Sequence, residues 1–167
     1  TIRIGKLNWK NVSIWENINS GQFTDGKFGI DLFTGKVLEI DFDNSVIRLY
    51  KRLPEKTAGY EKIKLINQDD ELFIEATCKT KDSIINNKFL LHSGYAGALL
   101  FDDKFAKDTR LGDVLPVIGE KILKDSYGNT LKSKQVILPA LVLQGIQLTD
   151  IPAGFFDGAI GRQQMSI

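Results

Sequence analysis

The sequence predicts a mostly β fold with few, short helices. Apolar and polar residues alternate over most of the chain, which is the pattern of strands with one buried face. Clusters of Asn, Asp, Ser and Gly separate the alternating segments, as turns do. No long segment places apolar residues at helical spacing, so we expect neither a helix bundle nor a parallel α/β sheet.

The alternating segments predict a series of hairpins along the chain. In order, the predicted strands and turns are residues 2–14; residues 37–50 with a turn at 43–45; residues 63–66 and 72–77 with a turn at 67–70; residues 121–123 and 130–138 with a turn at 125–129; and residues 141–143 and 146–151. Asn44 tolerates a left-handed backbone, which suits it to the tip of the second hairpin. Helical turns are predicted at residues 31–33 and after Asp102, whose side chain would cap the helix.

Composition restricts the function classes. Of the 167 residues, 43% are apolar and 26% charged, enough for a globular core, and a formal net charge of +1 offers no field for nucleic acid or an anionic membrane. A single cysteine, Cys78, and a single histidine, His92, make neither a disulfide nor a four-ligand zinc site, so no metal or cofactor is expected. No apolar run is long enough to span a bilayer. Trp9 and Trp15 are expected in strands or a core rather than on a sugar-binding surface.

The first predicted hairpin matches the last one without a gap when Ile2 is placed on Leu141, an offset of 139 residues. The apolar positions coincide in the pairs Ile2/Leu141, Ile4/Leu143, Leu7/Ile146, Trp9/Leu148, Val12/Ile151 and Ile14/Ala153, and Asn11 meets Asp150. Alternating strands match one another easily, so a long internal repeat and a coincidence both remain open.

Residues 88–101 are the segment that most suggests a functional site. An apolar strand leads into the turn His92-Ser93-Gly94, and a second apolar run follows. Burying a polar turn between apolar strands costs free energy unless every polar group is paired. Gly94 and Gly97 would let two backbones approach closely. A site is one reason for such a turn.

This segment resembles the active-site strand of the retropepsin-like and pepsin-like aspartic peptidases, in which apolar residues precede Asp-Thr/Ser-Gly; residues 89–100 read Phe-Leu-Leu-His-Ser-Gly-Tyr-Ala-Gly-Ala-Leu-Leu. Residues 29–44, which begin Gly-Ile-Asp-Leu-Phe, resemble the family's closing segment. Residues 121–138 fall where the family has its flap hairpin, and residues 141–151 resemble the strand pair after the flap. The resemblance touches most of the chain and looks closest to divergent forms in Bacteroidetes genomes.

The resemblance implies acid-protease-like closed β-barrel lobes. Residues 1–52 would be the C-terminal half of a first lobe, residues 53–59 a linker, and residues 60–167 a second lobe. The front of the first lobe would lie before Thr1, and the closing turn of the second after Ile167. The resemblance also suggests a periplasmic or secreted location.

The family's chemistry needs two carboxylates that share one proton. The Asp position of the turn is occupied here by His92, and no second Asp-Thr/Ser-Gly occurs. The resemblance therefore places the catalytic position at His92, Ser93 and Gly94 but implies that it is inactive. His92 is either a structural substitute or a proton carrier opposite an Asp from outside the chain. The implied ligand-binding residues are Tyr95 and, in the flap hairpin, Asp125, Ser126 and Tyr127.

Three hypotheses follow. The first is a degenerate aspartic-peptidase-like protein that binds a peptide or another ligand in the inherited cleft without cutting it. The second is an active aspartic endopeptidase whose catalytic Asp comes from a missing first lobe or from a partner, as in a homodimer. The third is a structural or interaction β module. A peptide or protein ligand is the expected partner, with neither nucleic acid nor a membrane span.

Overall fold

The computed structural model describes residues 1–16, 20, 24–55, 59–124, 128–156 and 165–167. Contacts between Cα atoms divide the chain into two units, Thr1–Glu61 and Lys62–Ile167. We call them the N-terminal and the C-terminal unit. The predicted mostly β fold is confirmed. The assignment of residues 1–52 and 60–167 to two lobes stays a prediction, as does the linker at 53–59.

The N-terminal unit contains two separate two-stranded sheets. Its elements are β1 (Ile2–Ile4), β2 (Leu7–Trp9), a 3-10 turn (Ile30–Phe33), β3 (Val37–Asp41) and β4 (Val46–Tyr50). The predicted helical turn at residues 31–33 is confirmed as the 3-10 turn. The predicted strand pattern at residues 2–14 is realised only as far as Trp9. None of the described residues of this unit is buried.

The turn of the β3–β4 hairpin lies where the sequence predicts, but the residue with the left-handed backbone is a different one. Ser45 has the left-handed backbone, with φ 54°, rather than Asn44. Asn44 instead donates its backbone N–H to Asp41 Oδ1 at 2.9 Å and its side-chain amide to both carboxylate oxygens of Asp41. The side chain thus closes the turn by hydrogen bonding, a role that Asx residues commonly take.

The C-terminal unit contains one seven-stranded sheet. Its elements are β5 (Ile66–Gln68), β6 (Glu71–Lys79), β7 (Ile84–Leu90), β8 (Leu99–Leu100), α1 (Asp103–Asp108), α2 (Leu111–Val114), β9 (Gly119–Lys124), β10 (Thr130–Leu143) and β11 (Ile146–Phe155). The strand order is β5-β6-β10-β11-β8, with β7 on β6 and β9 on β10. Only β8 and β11 pair in parallel among these strands.

The predicted strands at residues 130–138 and 141–143 form one long strand, β10. Its pairing with β11 passes from Leu138↔Ile151 to Ala140↔Thr149, which leaves Pro139 and Asp150 outside the ladder. Proline has no N–H to donate, so a ladder can continue past it only through such an irregularity. The irregularity bends one strand instead of dividing it into two.

The closed barrel implied by the resemblance is not found among the described strands. β7 and β8 do not pair with each other. Ser166 and Ile167 lie between them, where Ser166 forms an isolated bridge with Phe89 of β7 and Ile167 hydrogen-bonds to Leu100 of β8. A single bridge is not a strand, so the sheet stays open at this place.

The core of the C-terminal unit lies between the sheet and the two short helices. Its buried members are Ala76, Cys78, Phe89, Leu99, Phe101, Phe105, Ala106, Leu111, Leu115, Val136, Leu138, Leu141, Ala153 and Phe155. Phe101 and Phe105 stack with ring centroids 4.7 Å apart. Asp102 caps α1 as predicted, because its side chain accepts a hydrogen bond from the N–H of Phe105 at 2.7 Å. No helix in the described part of the chain is long and apolar enough to cross a membrane.

Candidate functional site

The turn that carries His92 connects β7 to β8 at the surface of the C-terminal unit. Leu91 N–H donates to the carbonyl of Leu72 at 2.8 Å, and Tyr95 N–H donates to the carbonyl of His92 at 3.1 Å, so both ends of the turn are held by backbone bonds. His92, Ser93 and Gly94 are all exposed. The expectation of a buried polar turn was wrong. Water can satisfy these polar groups, and the cost of burial does not arise.

The His92 ring lies over Gly94. A Cβ atom at Gly94 would come within 3.0 Å of His92 Cε1 and 3.4 Å of Nδ1. The ring makes no hydrogen bond or ion pair with any other residue that the structure describes. Among the described residues, neither a carboxylate partner nor a hydrogen bond therefore holds the imidazole in place.

Tyr95 is half-buried and packs back onto its own loop. Its hydroxyl donates to the carbonyl of Leu99 at 3.4 Å, and burial raises the pKa of its phenol. A Cβ atom at Gly97 would lie 2.5 Å from the Tyr95 ring, so a larger residue there would displace the Tyr95 side chain. The structure thus brings Tyr95 next to Gly97 and Leu99.

The flap residues Asp125, Ser126 and Tyr127 lie outside the described residues. The strands on either side do form a hairpin, in which β9 pairs antiparallel with β10 from Gln135↔Gly119 to Thr130↔Lys124. The hairpin predicted from the turn-forming residues is therefore confirmed up to its tip. The binding role of the tip stays a prediction.

A polar cluster around the buried hydroxyl of Ser166 joins β7 to the residues after β8, and the sequence did not predict it. Ser166 is 1% exposed, and its hydroxyl donates to Asp102 Oδ2 at 2.7 Å while accepting from Asp102 N–H at 3.0 Å and from Asn87 Nδ2 at 2.8 Å. Asp102 Oδ1 accepts from Phe105 N–H. The partners are 64 and 79 residues from Ser166 along the chain, so no local pattern could have revealed them.

This cluster limits what the nearby carboxylate can do. Both oxygens of Asp102 hold hydrogen bonds from buried donors, one from the backbone of α1 and one from Ser166. A general base must be able to approach the proton that it abstracts. Asp102 is therefore a structural acceptor in this arrangement. Across the described residues, no group of three or more His, Cys, Asp or Glu side chains is placed to hold a metal ion.

A groove of about 520 Å³ opens in the N-terminal unit. Its lining includes Trp9, Trp15 and Asp31. Trp9 is fixed, since its indole N–H donates to the carbonyl of Leu32 at 2.7 Å and its ring meets Phe33 edge to face. Trp15 is 80% exposed, so its expected place in a strand or core was wrong. The strand pattern ends before it, and no described strand covers it.

No family model, curated protein or solved structure matches this chain. The resemblance to the aspartic peptidases therefore rests on the residues that carry it, above all the turn formed by His92, Ser93 and Gly94.

Proposed function

We propose that this chain is a non-catalytic, aspartic-peptidase-like protein that binds an extended peptide at the turn formed by His92, Ser93 and Gly94. The observation that carries the proposal is the turn itself. It is exposed, it connects two apolar strands, and it carries histidine where hydrolysis by this family's chemistry would need a carboxylate.

The ionisable groups around the turn support the non-catalytic part of the proposal. Aspartic-peptidase chemistry uses two carboxylates, one as base toward water and one as acid toward the scissile carbonyl. Within the part of the chain that the structure describes, the His92 ring contacts no carboxylate. Asp102, which follows β8, is occupied by hydrogen bonds at both oxygens. Neither half of a proton-sharing pair is available in these contacts.

Binding of an extended peptide is supported by the free backbone of the turn. The N–H groups of Ser93 and Gly94 donate to no other described residue, and both residues are exposed. Such exposed N–H groups can donate to the carbonyl oxygens of an extended peptide, while neighbouring side chains select the ligand. Leu91 is 56% exposed beside the turn and offers apolar surface, so we expect a preference for apolar ligand side chains.

The topology of the C-terminal unit supports the family relationship. β6, β7, β8, β11 and β10 follow one another around an incomplete ring, because β10 pairs with β6 at one end and Ser166 and Ile167 lie between β7 and β8. An acid-protease-like lobe remains our proposal for this unit.

Titration with the peptide-like inhibitor pepstatin tests the binding site. Calorimetry should detect saturable binding to the intact chain. Gly94→Ala should weaken it about tenfold, because the new Cβ would crowd the His92 ring and change the shape of the turn. Gly119→Ala is the matched control, since a Cβ there meets no atom within 4 Å and should leave the affinity unchanged. Absence of binding to the wild-type chain would favour the structural or interaction module.

A cleavage assay separates the proposal from the endopeptidase alternative. The purified chain is incubated with an unfolded protein at acid pH, with and without pepstatin, and the products are analysed by mass spectrometry. We expect no pepstatin-sensitive products. Their appearance would mean that a carboxylate from another copy completes the site, and the non-catalytic assignment would be withdrawn.

A further inference from the structure

Two residues separate the strands that flank the turn. Ser166 and Ile167, which we call the strap, lie between β7 and β8. Leu90 N–H donates to the carbonyl of Ser166 at 2.7 Å. Ile167 N–H donates to the carbonyl of Leu100 at 2.8 Å, and Leu100 N–H donates to the carbonyl of Ile167 at 3.0 Å. Because β7 and β8 do not pair, the strap sets the distance between the two ends of the turn.

The hydroxyl of Ser166 fastens the strap to both sides. Its hydrogen bond from Asn87 joins it to β7, and its two hydrogen bonds with Asp102 join it to the residue that follows β8 by two positions. A serine hydroxyl offers one donor and two acceptor sites. All three are used here, and the side chain is 1% exposed.

We propose that Ser166 is a positioning residue for the ligand-binding turn. The inference rests on the proposed function, because it assumes that the turn formed by His92, Ser93 and Gly94 is the ligand site. Ser166 touches no part of that turn in any contact the structure gives. It acts through β7 and β8, whose spacing fixes where the turn begins and ends. Undocking of the strap would remove the hydrogen bonds that connect β7 to β8 and lower the affinity for an extended peptide.

The physical reason is the number of polar groups that depend on one buried hydroxyl. Without it, the Asn87 amide, the Asp102 N–H and Asp102 Oδ2, all on half-buried residues, lose a partner. Buried polar groups without partners destabilise the arrangement that buries them. Once the hydroxyl is removed, the strap keeps its three backbone hydrogen bonds with Leu90 and Leu100, so we expect the strap to be the part that leaves.

Amide hydrogen exchange tests the inference with a matched pair of variants. Ser166→Ala removes the hydroxyl of the strap. Ser133→Ala removes an equally buried hydroxyl, 0% exposed, that donates to the carbonyl of Lys121 at 3.2 Å and accepts from Gln135 Nε2 at 2.8 Å. Ser166→Ala should speed exchange at the amides of Leu90 and Leu100 about tenfold. Ser133→Ala should speed exchange between β9 and β10 and leave those two amides unchanged.

Equal effects of both variants on Leu90 and Leu100, or none from Ser166→Ala, would overturn the inference. If Ser166→Ala does not fold, Asn87→Ala removes only one of the three hydrogen bonds and should give a smaller change at the same two amides. A change at unrelated strands instead would count equally against a positioning role.

Pepstatin affinity, measured on the same variants, separates this inference from the proposed function. Faster exchange at Leu90 and Leu100 with about tenfold weaker pepstatin binding supports both. Faster exchange with no pepstatin binding even to the wild-type chain supports the strap and overturns the proposed function. Faster exchange with unchanged affinity overturns the positioning role and leaves the proposed function standing.

Discussion

The β1–β2 hairpin and the β10–β11 hairpin have similar sequences and different surroundings. Their pairing agrees at the offset of 139 residues: Ile4↔Leu7 corresponds to Leu143↔Ile146, and Ile2↔Trp9 to Leu141↔Leu148. The backbone conformation agrees at the next pair of equivalent positions as well, since Asn11 has φ 55° and Asp150 has φ 54°. Left-handed backbone is uncommon outside glycine, so its occurrence at equivalent positions favours a true repeat over coincidence.

The two hairpins differ in what covers them. Leu141 is 4% exposed because β6 pairs with this end of β10, and Ala153 is 2% exposed beside β8. The residues Ile4, Leu7 and Ile14 of the first hairpin and its extension are 43%, 42% and 74% exposed. β11 runs for ten residues, whereas β2 stops after three. The same alternating pattern thus forms a long strand only where neighbouring strands pair with it.

The largest effect should come from truncating a covered side chain. Leu138→Ala in β10 removes a side chain that is 0% exposed, and we expect it to cost about 3 kcal/mol of unfolding free energy. Leu7→Ala in β2, 42% exposed, should cost less than about 1 kcal/mol. Urea denaturation of both variants measures the difference. Similar losses would show that the first hairpin is as well packed as the second.

Thiol labelling compares the accessibility of one position in each unit. Cys78 is 1% exposed in β6, and burial raises its pKa to about 12. We expect no reaction with a thiol reagent at neutral pH until the chain unfolds, because the reactive form is the thiolate. A Ser13→Cys variant in the exposed part of the N-terminal unit should gain one rapidly labelled thiol. Rapid labelling of Cys78 in the native chain would contradict the packing of β6.

The raised pKa of Cys78 also predicts how the free energy of unfolding changes at alkaline pH. A thiol whose pKa is raised by folding stabilises the folded state below its ordinary value of 9.0, and this contribution is lost as the pH rises toward about 12. Cys78→Ala should make the unfolding free energy less dependent on pH in that range. An unchanged pH dependence in this variant would argue against the buried thiol.

A pH titration of Asp41 tests whether the turn of the β3–β4 hairpin is formed. Hydrogen bonds from Asn44, and next from Arg48, hold the pKa of Asp41 at about 2, below its ordinary 3.8. The stabilisation is present at neutral pH and is lost as the pH falls from about 4 to about 2. Asn44→Ala should move the pKa of Asp41 back toward 3.8, as followed by carboxyl chemical shifts. An ordinary pKa in the wild-type chain would mean that this turn is open.

The smallest effect is expected at His92. The side chain is exposed and has no hydrogen-bonding partner among the described residues, so His92→Ala should change the unfolding free energy by no more than about 0.5 kcal/mol. Urea denaturation measures this directly. A loss of several kcal/mol would show that the imidazole is a structural substitute packed into the turn.

Local sequence signals predicted the local structure well. The β3–β4 turn and the capping role of Asp102 follow from residues that are close in sequence. The β5–β6 hairpin was predicted with its turn at residues 67–70, whereas β5 spans Ile66–Gln68 and the turn is at Asp69 and Asp70. The three-sided hydrogen bonding of Ser166 could not be predicted, because it joins residues far apart in the chain and depends on how the strands assemble. The burial of Trp15 was predicted wrongly, since alternation alone does not say whether a neighbouring strand is present.

At the candidate site, the position of the turn could be predicted from the sequence, but its solvent exposure could not. The apolar strands on both sides suggested that His92, Ser93 and Gly94 would be buried. The structure instead lets the chain reach the surface between β7 and β8, because two residues of the strap take the place of direct pairing. That arrangement is what leaves the N–H groups of Ser93 and Gly94 open to a ligand.

We propose that a ligand binds at this turn rather than in the groove lined by Trp9 and Trp15. A pepstatin titration of the isotopically labelled chain, followed by amide and indole N–H chemical shifts, decides between the two places. We expect saturable shifts at Ser93, Gly94 and Tyr95, with the indole signals of Trp9 and Trp15 unchanged. Shifts of the two indole signals without any change at Ser93 and Gly94 would contradict it.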